Sequence, residues 1–176
     1  MEQNLIDTDL SPAPAAAGRK VSSPEEHALI VRDERFCRNN RPSRWWADGD
    51  PVATAWYNSV SASLPRGEAF FIDTLKSFRG EVPEHLEEDI KAFVRQEINH
   101  TREHVAFNRF AEDHGYNVAS IDKGISEMLA LTEGRPKELN LAVALALEHF
   151  AATISDQLLR HPDYLAGAEQ EAADLW

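Results

Sequence analysis

Apolar residues recur along most of the chain at the three- and four-residue intervals of an amphipathic helix, and no stretch shows sustained strand-like alternation. Proline and glycine are sparse inside these periodic stretches and stand mainly between them. The sequence therefore predicts an all-α domain. Its expected helices cover residues 23–36, 52–64, 68–78, 84–114, 120–134, 136–160 and 164–176.

Proline sets two of the expected helix boundaries. Ser23 can cap the first helix, and Pro24 suits the first helical position. Pro65 interrupts the apolar pattern after residue 64, so a new or kinked helix is expected beyond it. Glu68 then lies in the first turn of that helix.

The longest expected helix carries a row of polar residues where an apolar face belongs. Glu97, His100, His104 and Asn108 are spaced by three, four and four residues, so they fall within an arc of roughly 80°. That face is apolar on both sides of the row, and the opposite face is charged, at Lys91, Arg95, Arg102, Arg109 and Glu112. A carboxylate and two imidazoles inside a bundle each cost several kcal/mol unless they are paired. A metal ion is the partner that this row predicts.

The Glu97-x-x-His100 pair alone is a weak signal, because Glu and His also occur at this spacing on solvated faces. Two carboxylates on other helices strengthen it, since Glu68 and Glu148 also interrupt expected core positions. On the last long helix, that core stripe is expected to consist of Leu141, Leu145, Glu148, Ala152, Ser155 and Leu159. His104 could be a further ligand or could orient one. Mixed carboxylate and imidazole ligands suit iron or manganese, and zinc is an alternative.

Each candidate also has a structural explanation. Glu68 could complement the positive end of a helix, Glu148 could pair with an arginine, and His100 could be a hydrogen-bonded core histidine. These alternatives place no metal in the bundle.

An aromatic cluster, Trp45, Trp46, Trp56 and Tyr57, precedes and opens the second expected helix. It could line an apolar substrate pocket. Packing as a lid on the end of the bundle is the commoner use of such residues, and we expect the lid.

Composition excludes several classes of partner. The chain has 176 residues, which suits one domain, and its net charge of −12 disfavours nucleic acid and anionic membranes. The most apolar stretch, residues 139–154, is too short for a membrane span and contains Glu148 and His149. A small-molecule substrate is the expected partner.

The start of the chain and its single cysteine indicate where the domain lies. Residues 1–22 lack the basic start and apolar run of a secretory signal and are expected to form a disordered tail. Residues 23–176 are expected to form one helical metal-binding domain. Cys37 alone cannot form an internal disulfide, which favours a cytoplasmic location.

Three stretches carry a resemblance to a known family: RWWADGDPVATAWYNSVSASLPRGEAFFIDTL, FVRQEINHTREHVAFN and LALEHFAATI. In this order and spacing, the sequence resembles bacterial proteins described as predicted metal-dependent hydrolases, which are similar to ferritin-like helical bundles. The resemblance covers roughly residues 40–176. It implies that Glu68, Glu97, His100 and Glu148 bind metal, with His104 as an additional ligand, in a ferritin-like bundle that follows an N-terminal helical extension.

One departure from the family pattern concerns the end of the sequence. Family members continue into a helix with a second Glu-x-x-His motif, whereas this sequence ends at Leu175 and Trp176. The domain is therefore expected to be a fragment or a shortened member. A complete centre of two metal ions is then in doubt, and a single-ion site remains. An apolar side without its helix would also favour a homodimer.

Three functions remain open from the sequence. The main interpretation is a metal-dependent enzyme with one or two iron ions that oxidises a small organic substrate. The alternatives are a metal-dependent hydrolase that uses metal-activated water, with manganese or zinc as the ion, and a non-catalytic metal-binding helical protein. No residue is assigned to the chemical step itself.

Overall fold

The computed structural model describes residues 29–176, and this part of the chain is helical and contains no strand. Its elements are α1 (Pro51–Lys76), α2 (Glu84–Asp113), α3 (Val118–Leu129), α4 (Lys137–Arg160) and α5 (Gln170–Ala173), with 3-10 turns at Ala130–Thr132 and Pro162–Leu165. The all-α prediction is confirmed. Within the described range, no helix is both long and apolar enough to cross a membrane.

Helix α1 is the centre of the domain, because α2, α3 and α4 all pack against it. It begins where Asp50 accepts hydrogen bonds from the backbone nitrogens of Val52 and Ala53, at 2.7 and 3.2 Å. Helix α2 has nearly the expected bounds. It stops where Gly115 adopts a φ of 88°, the left-handed conformation that glycine permits at a helix end.

Of the two outcomes expected beyond Pro65, a separate new helix does not form, since α1 is one helix from Pro51 to Lys76. Proline cannot donate a backbone hydrogen bond, so the carbonyl of Ser61, four residues earlier, loses its helical partner. The side chain of Asn108 on α2 donates to that carbonyl at 3.1 Å. Glu68 therefore lies in the middle of a helix, which removes the explanation that it complements a helix end.

The predicted first helix is also wrong over the part that can be checked. Residues 23–28 lie outside the described range, as does the expected disordered tail, and residues 29–36 are not helical. Two of their backbone nitrogens donate to side chains of α2 instead. That of Arg32 donates to Gln96 at 2.7 Å, and that of Phe36 donates to the buried carboxylate of Glu103 at 3.0 Å.

The expected last helix, residues 164–176, is reduced to the four residues of α5. Gly167 has a φ of 79°, and a Cβ there would come within 2.3 Å of the Asp48 side chain, so the chain must turn at glycine. Beyond the turn, the backbone nitrogen of Glu169 donates to the carbonyl of Trp46 at 2.9 Å. This contact joins the end of the described chain to the segment before α1.

The apolar stripe expected on α4 is turned away from the core. Leu145 and Leu159 are 69% and 82% exposed, whereas Ala144 and Leu158 are buried. With about 100° per residue, the buried side lies roughly 100° around the helix from the expected one. Glu148 lies between the two sides and is half-buried.

The aromatic cluster packs into the core beside α1. Trp46 is 2% exposed, and its ring lies 5.3 Å from that of Tyr57 and 5.7 Å from that of Phe107. Trp45 and Trp56 stay partly exposed at the surface. The lid expected for these residues stays a prediction.

Candidate metal centre

Three of the predicted ligands come together between α1 and α2. One carboxylate oxygen from each of Glu68 and Glu97 and a ring nitrogen of His100 lie within 4.8 Å of one another. Glu68 comes from α1, while Glu97 and His100 come from the Glu-x-x-His motif of α2. The spacing along α2 places both of its side chains toward the same point on α1.

Glu68 is the most buried member of this group, with 1% of its surface exposed. One carboxylate oxygen, Oε2, accepts a hydrogen bond from the Thr101 hydroxyl. The other, Oε1, lies 2.7 Å from Nδ1 of His100, and no other donor among the described residues gives it a hydrogen bond. A buried carboxylate oxygen needs a positive partner, which is the protonated His100 ring or, when that ring is neutral, a metal cation. The donor set and this oxygen therefore fit a divalent metal ion.

The charge of His100 depends on the two carboxylates beside it. Burial lowers the pKa of this imidazole, but contact with Glu68 and Glu97 outweighs burial and raises the pKa to about 10. A proton on His100 thus neutralises part of the negative charge at neutral pH. A metal ion must displace that proton, because a metal-binding imidazole is neutral.

His104 is held in one tautomer by Ser61 and Asn108. The single hydroxyl hydrogen of Ser61 is donated to Oδ1 of Asn108 at 2.7 Å, so Nδ1 of His104, at 2.9 Å, must donate to the Ser61 oxygen. The Asn108 amide is oriented in turn by its hydrogen bond to the Ser61 carbonyl. Burial and the charge of His100 lower the pKa of His104 to about 3.

This tautomer leaves Nε2 of His104 unprotonated. That nitrogen lies 3.1 Å from Nε2 of His100. His104 therefore lies against His100 and outside the compact group of three. Of the two sequence expectations for His104, this position agrees with the one in which it orients a ligand.

Ser61→Ala is expected to lower the affinity for Zn²⁺ by about 10- to 100-fold, because it releases the tautomer of the imidazole that holds His100. Calorimetric titration measures the affinity, and two-bond ¹H–¹⁵N spectra report which nitrogen of His104 is protonated. Ser59→Ala is the matched control, since this exposed hydroxyl on the same helix only bonds to the Ala55 carbonyl. A wild-type spectrum with the proton on Nε2 of His104 would contradict the assignment.

Glu148 approaches the group without joining it. Burial raises the pKa of this carboxyl to about 7, with the charges of Glu97 and Glu68 contributing and that of His100 opposing. These effects place the α4 carboxylate near the other two. It is not among the three residues whose ligand atoms converge.

Sequence analysis missed a second polar row, on α1. Thr54, Asn58, Ser61 and Glu68 are all buried and are spaced by four, three and seven residues, which brings them onto one side of the helix. This spacing was the signal available in the sequence. Thr101 had no comparable signal, because its role follows from its position opposite Glu68.

Comparison with known proteins adds one family. The model of a family described as "Predicted metal-dependent hydrolase" matches residues 30–176. Neither the curated proteins nor the solved structures contain a match.

Proposed function

This chain belongs to the family of predicted metal-dependent hydrolases, and from that membership we propose that it hydrolyses a small organic substrate with a metal ion held by Glu68, Glu97 and His100. The observation that carries the proposal is the meeting of these three side chains around a buried oxygen of Glu68, whose polar neighbour is the ring of His100. A non-catalytic metal-binding protein would need the same ligands, so activity decides between the two.

Hydrolysis is better supported than the oxidation that the sequence favoured. The family description names hydrolysis, and the converging side chains in residues 29–176 are two carboxylates and one imidazole. Three protein ligands with an open position are typical of catalytic zinc, whereas a di-iron centre uses more carboxylates and a second Glu-x-x-His pair. We therefore propose a single zinc or manganese ion, with iron as the third option.

A bound divalent ion would polarise the bond to be cleaved and activate water at neutral pH. Side chains of the protein would bind the ion and orient its ligands. Glu68 and Glu97 supply the negative charge that retains a cation, and Thr101 orients Glu68. His104 restricts the ring of His100 through Ser61 and Asn108.

The proposed partner is a small molecule, and the net charge of −12 disfavours polyanions such as nucleic acid. The homodimer expected from the sequence stays a prediction. Exposed leucines at positions 145 and 159 of α4 support it, since such surfaces attract an apolar partner. Light scattering of the full chain, with and without chelator, checks whether its mass is that of one chain or two.

Metal removal tests the proposed function. Protein produced with iron, manganese and zinc all present is expected to contain one zinc or manganese ion per chain by mass spectrometry. It should hydrolyse an ester such as p-nitrophenyl butyrate, lose that activity in EDTA and regain it when the metal is restored. Two irons with dioxygen consumption would overturn hydrolysis in favour of oxidation. Protein without metal would overturn the site.

A further inference from the structure

An apolar cavity of about 310 Å³ opens beside the candidate metal centre. His100 and His104 lie in its wall, so the cavity reaches the residues that approach the metal position. Residues of α1, α3 and α4 build most of the rest, and Leu175 and Trp176 complete it. Its apolar walls include Leu64, Phe71, Ile125, Leu147, Ala151 and Ile154.

The lining carries almost no polar groups that could bind a charged or strongly polar ligand. Among the described lining residues, the polar side-chain groups are the two histidines, the hydroxyls of Ser63 and Ser155, and the indole N–H of Trp176, which has no hydrogen-bond partner. The Ser63 hydroxyl already donates to the Val60 carbonyl at 2.7 Å. Within residues 29–176, no lysine, arginine, aspartate or glutamate lines the cavity. A charged group placed here would lose its hydration without gaining a partner.

We propose that this cavity binds the uncharged apolar group of the substrate, an alkyl, acyl or aryl group, while the bond to be cleaved lies at His100. The volume corresponds to roughly ten water-sized groups, at about 30 Å³ each, which suits a chain of about eight carbons. The reaction at His100 rests on the proposed function. Binding of the apolar group does not.

A series of unreactive alcohols tests the binding directly. Butanol, hexanol and octanol are titrated into the metal-loaded protein, and calorimetry gives each affinity. Affinity should rise about fourfold per added methylene, because each buried methylene contributes about 0.8 kcal/mol. An affinity that does not change from butanol to octanol would overturn the proposal.

Methyl spectra show where the alcohol binds. The chain has two methionines, Met1 and Met128, and Met128 lines the cavity. The ¹³C-methyl signal of Met128, assigned by its loss in Met128→Leu, should shift as octanol saturates the protein. Octanol binding that leaves this signal unchanged would place the alcohol elsewhere and overturn the proposal.

Two neighbouring alanines on α4 provide a matched pair of variants. Ala151 lines the cavity and Ala152 is exposed, so Ala151→Phe should weaken octanol binding at least tenfold while Ala152→Phe leaves it unchanged. If Ala151→Phe does not fold, Gly67→Ala serves instead. Its new methyl would lie 3.8 Å from Phe71, an ordinary contact, and should weaken binding several-fold by filling the cavity. Equal affinities in the cavity-filling variant and the Ala152→Phe control would overturn the proposal.

The two proposals fail in different ways. Alcohol binding without any ester hydrolysis would support the cavity assignment and contradict the hydrolytic function. Hydrolysis of p-nitrophenyl acetate and octanoate with equal kcat/KM would support the hydrolytic function and contradict the cavity assignment. A cavity that binds the acyl group must favour the longer one.

Discussion

Glu97→Gln and His100→Gln are each expected to lower the affinity for Zn²⁺ by at least about 100-fold, since removing a ligand exceeds the usual cost of removing a residue that orients one. Both replacements keep the approximate size of the side chain, so the packing between α1 and α2 should persist. Ester hydrolysis should fall with the metal content. Calorimetry and metal analysis measure the first effect, and initial rates measure the second.

Thermal unfolding separates a lost ligand from a damaged fold. A metal present at 100 times its dissociation constant stabilises the folded protein by about 2.7 kcal/mol, so EDTA should lower the Tm of the wild type. The two variants should unfold at the same Tm with and without EDTA. The controls are Glu112→Gln and His85→Gln, which replace exposed side chains of the same helix and should keep the wild-type response. Wild-type metal affinity in both ligand variants would contradict the site.

Trp46→Ala is expected to lower the free energy of unfolding by about 3–5 kcal/mol, the usual cost of removing a buried large aromatic side chain. The side chain is 2% exposed, and its Nε1 donates to Oδ1 of buried Asn58 at 3.0 Å. Truncation therefore leaves both a cavity against Tyr57 and Phe107 and an amide oxygen without its donor. Urea unfolding followed by circular dichroism measures the change.

Trp45→Ala is the natural comparison, because the neighbouring ring is 38% exposed and stacks under Arg44. It should change stability by less than about 1 kcal/mol. Trp46→Ala should also leave octanol affinity unchanged in the folded protein, since Trp46 packs in the core and does not line the apolar cavity. A small stability loss together with altered octanol binding would favour the substrate-pocket interpretation of this cluster.

Local rules predicted the elements whose ends and faces depend on neighbours along the chain. Helix α2 was expected over 84–114, and it runs from Glu84 to Asp113. Proline at its start and glycine at its end act within one turn, so no tertiary contact is needed to position them. The Glu97-x-x-His100 pair is predictable for the same reason, because residues three apart on a helix share a face.

Long-range contacts decided the elements that were predicted wrongly. Pro65 normally weakens a helix, yet Asn108, 43 positions further along the sequence, bonds to the carbonyl that the proline leaves without a donor. Residues 29–36 have a helical pattern, but two of their backbone donors bond to side chains of α2. Neither partner can be identified from local sequence.

Helix α4 shows why a periodic pattern alone cannot orient a helix. It has apolar residues on two sides, and the pattern does not reveal that the side with Ala144 and Leu158 is buried while that with Leu145 and Leu159 is exposed. Glu148 was consequently expected in the core, and it lies at the boundary. The same ambiguity leaves its distance from Glu68 and Glu97 undetermined at the level of sequence.

By itself, the sequence determined the helical class, the bounds of the longest helix and the chemical types of the candidate ligands, because these depend on residues within a few positions of one another. Only the tertiary structure decided which ligands converge, which tautomer His104 adopts and that an apolar cavity opens beside them. Those properties depend on distances between helices. The sequence of a helix determines which side chains share each of its faces. How the helices pack determines which residues of other helices those side chains contact.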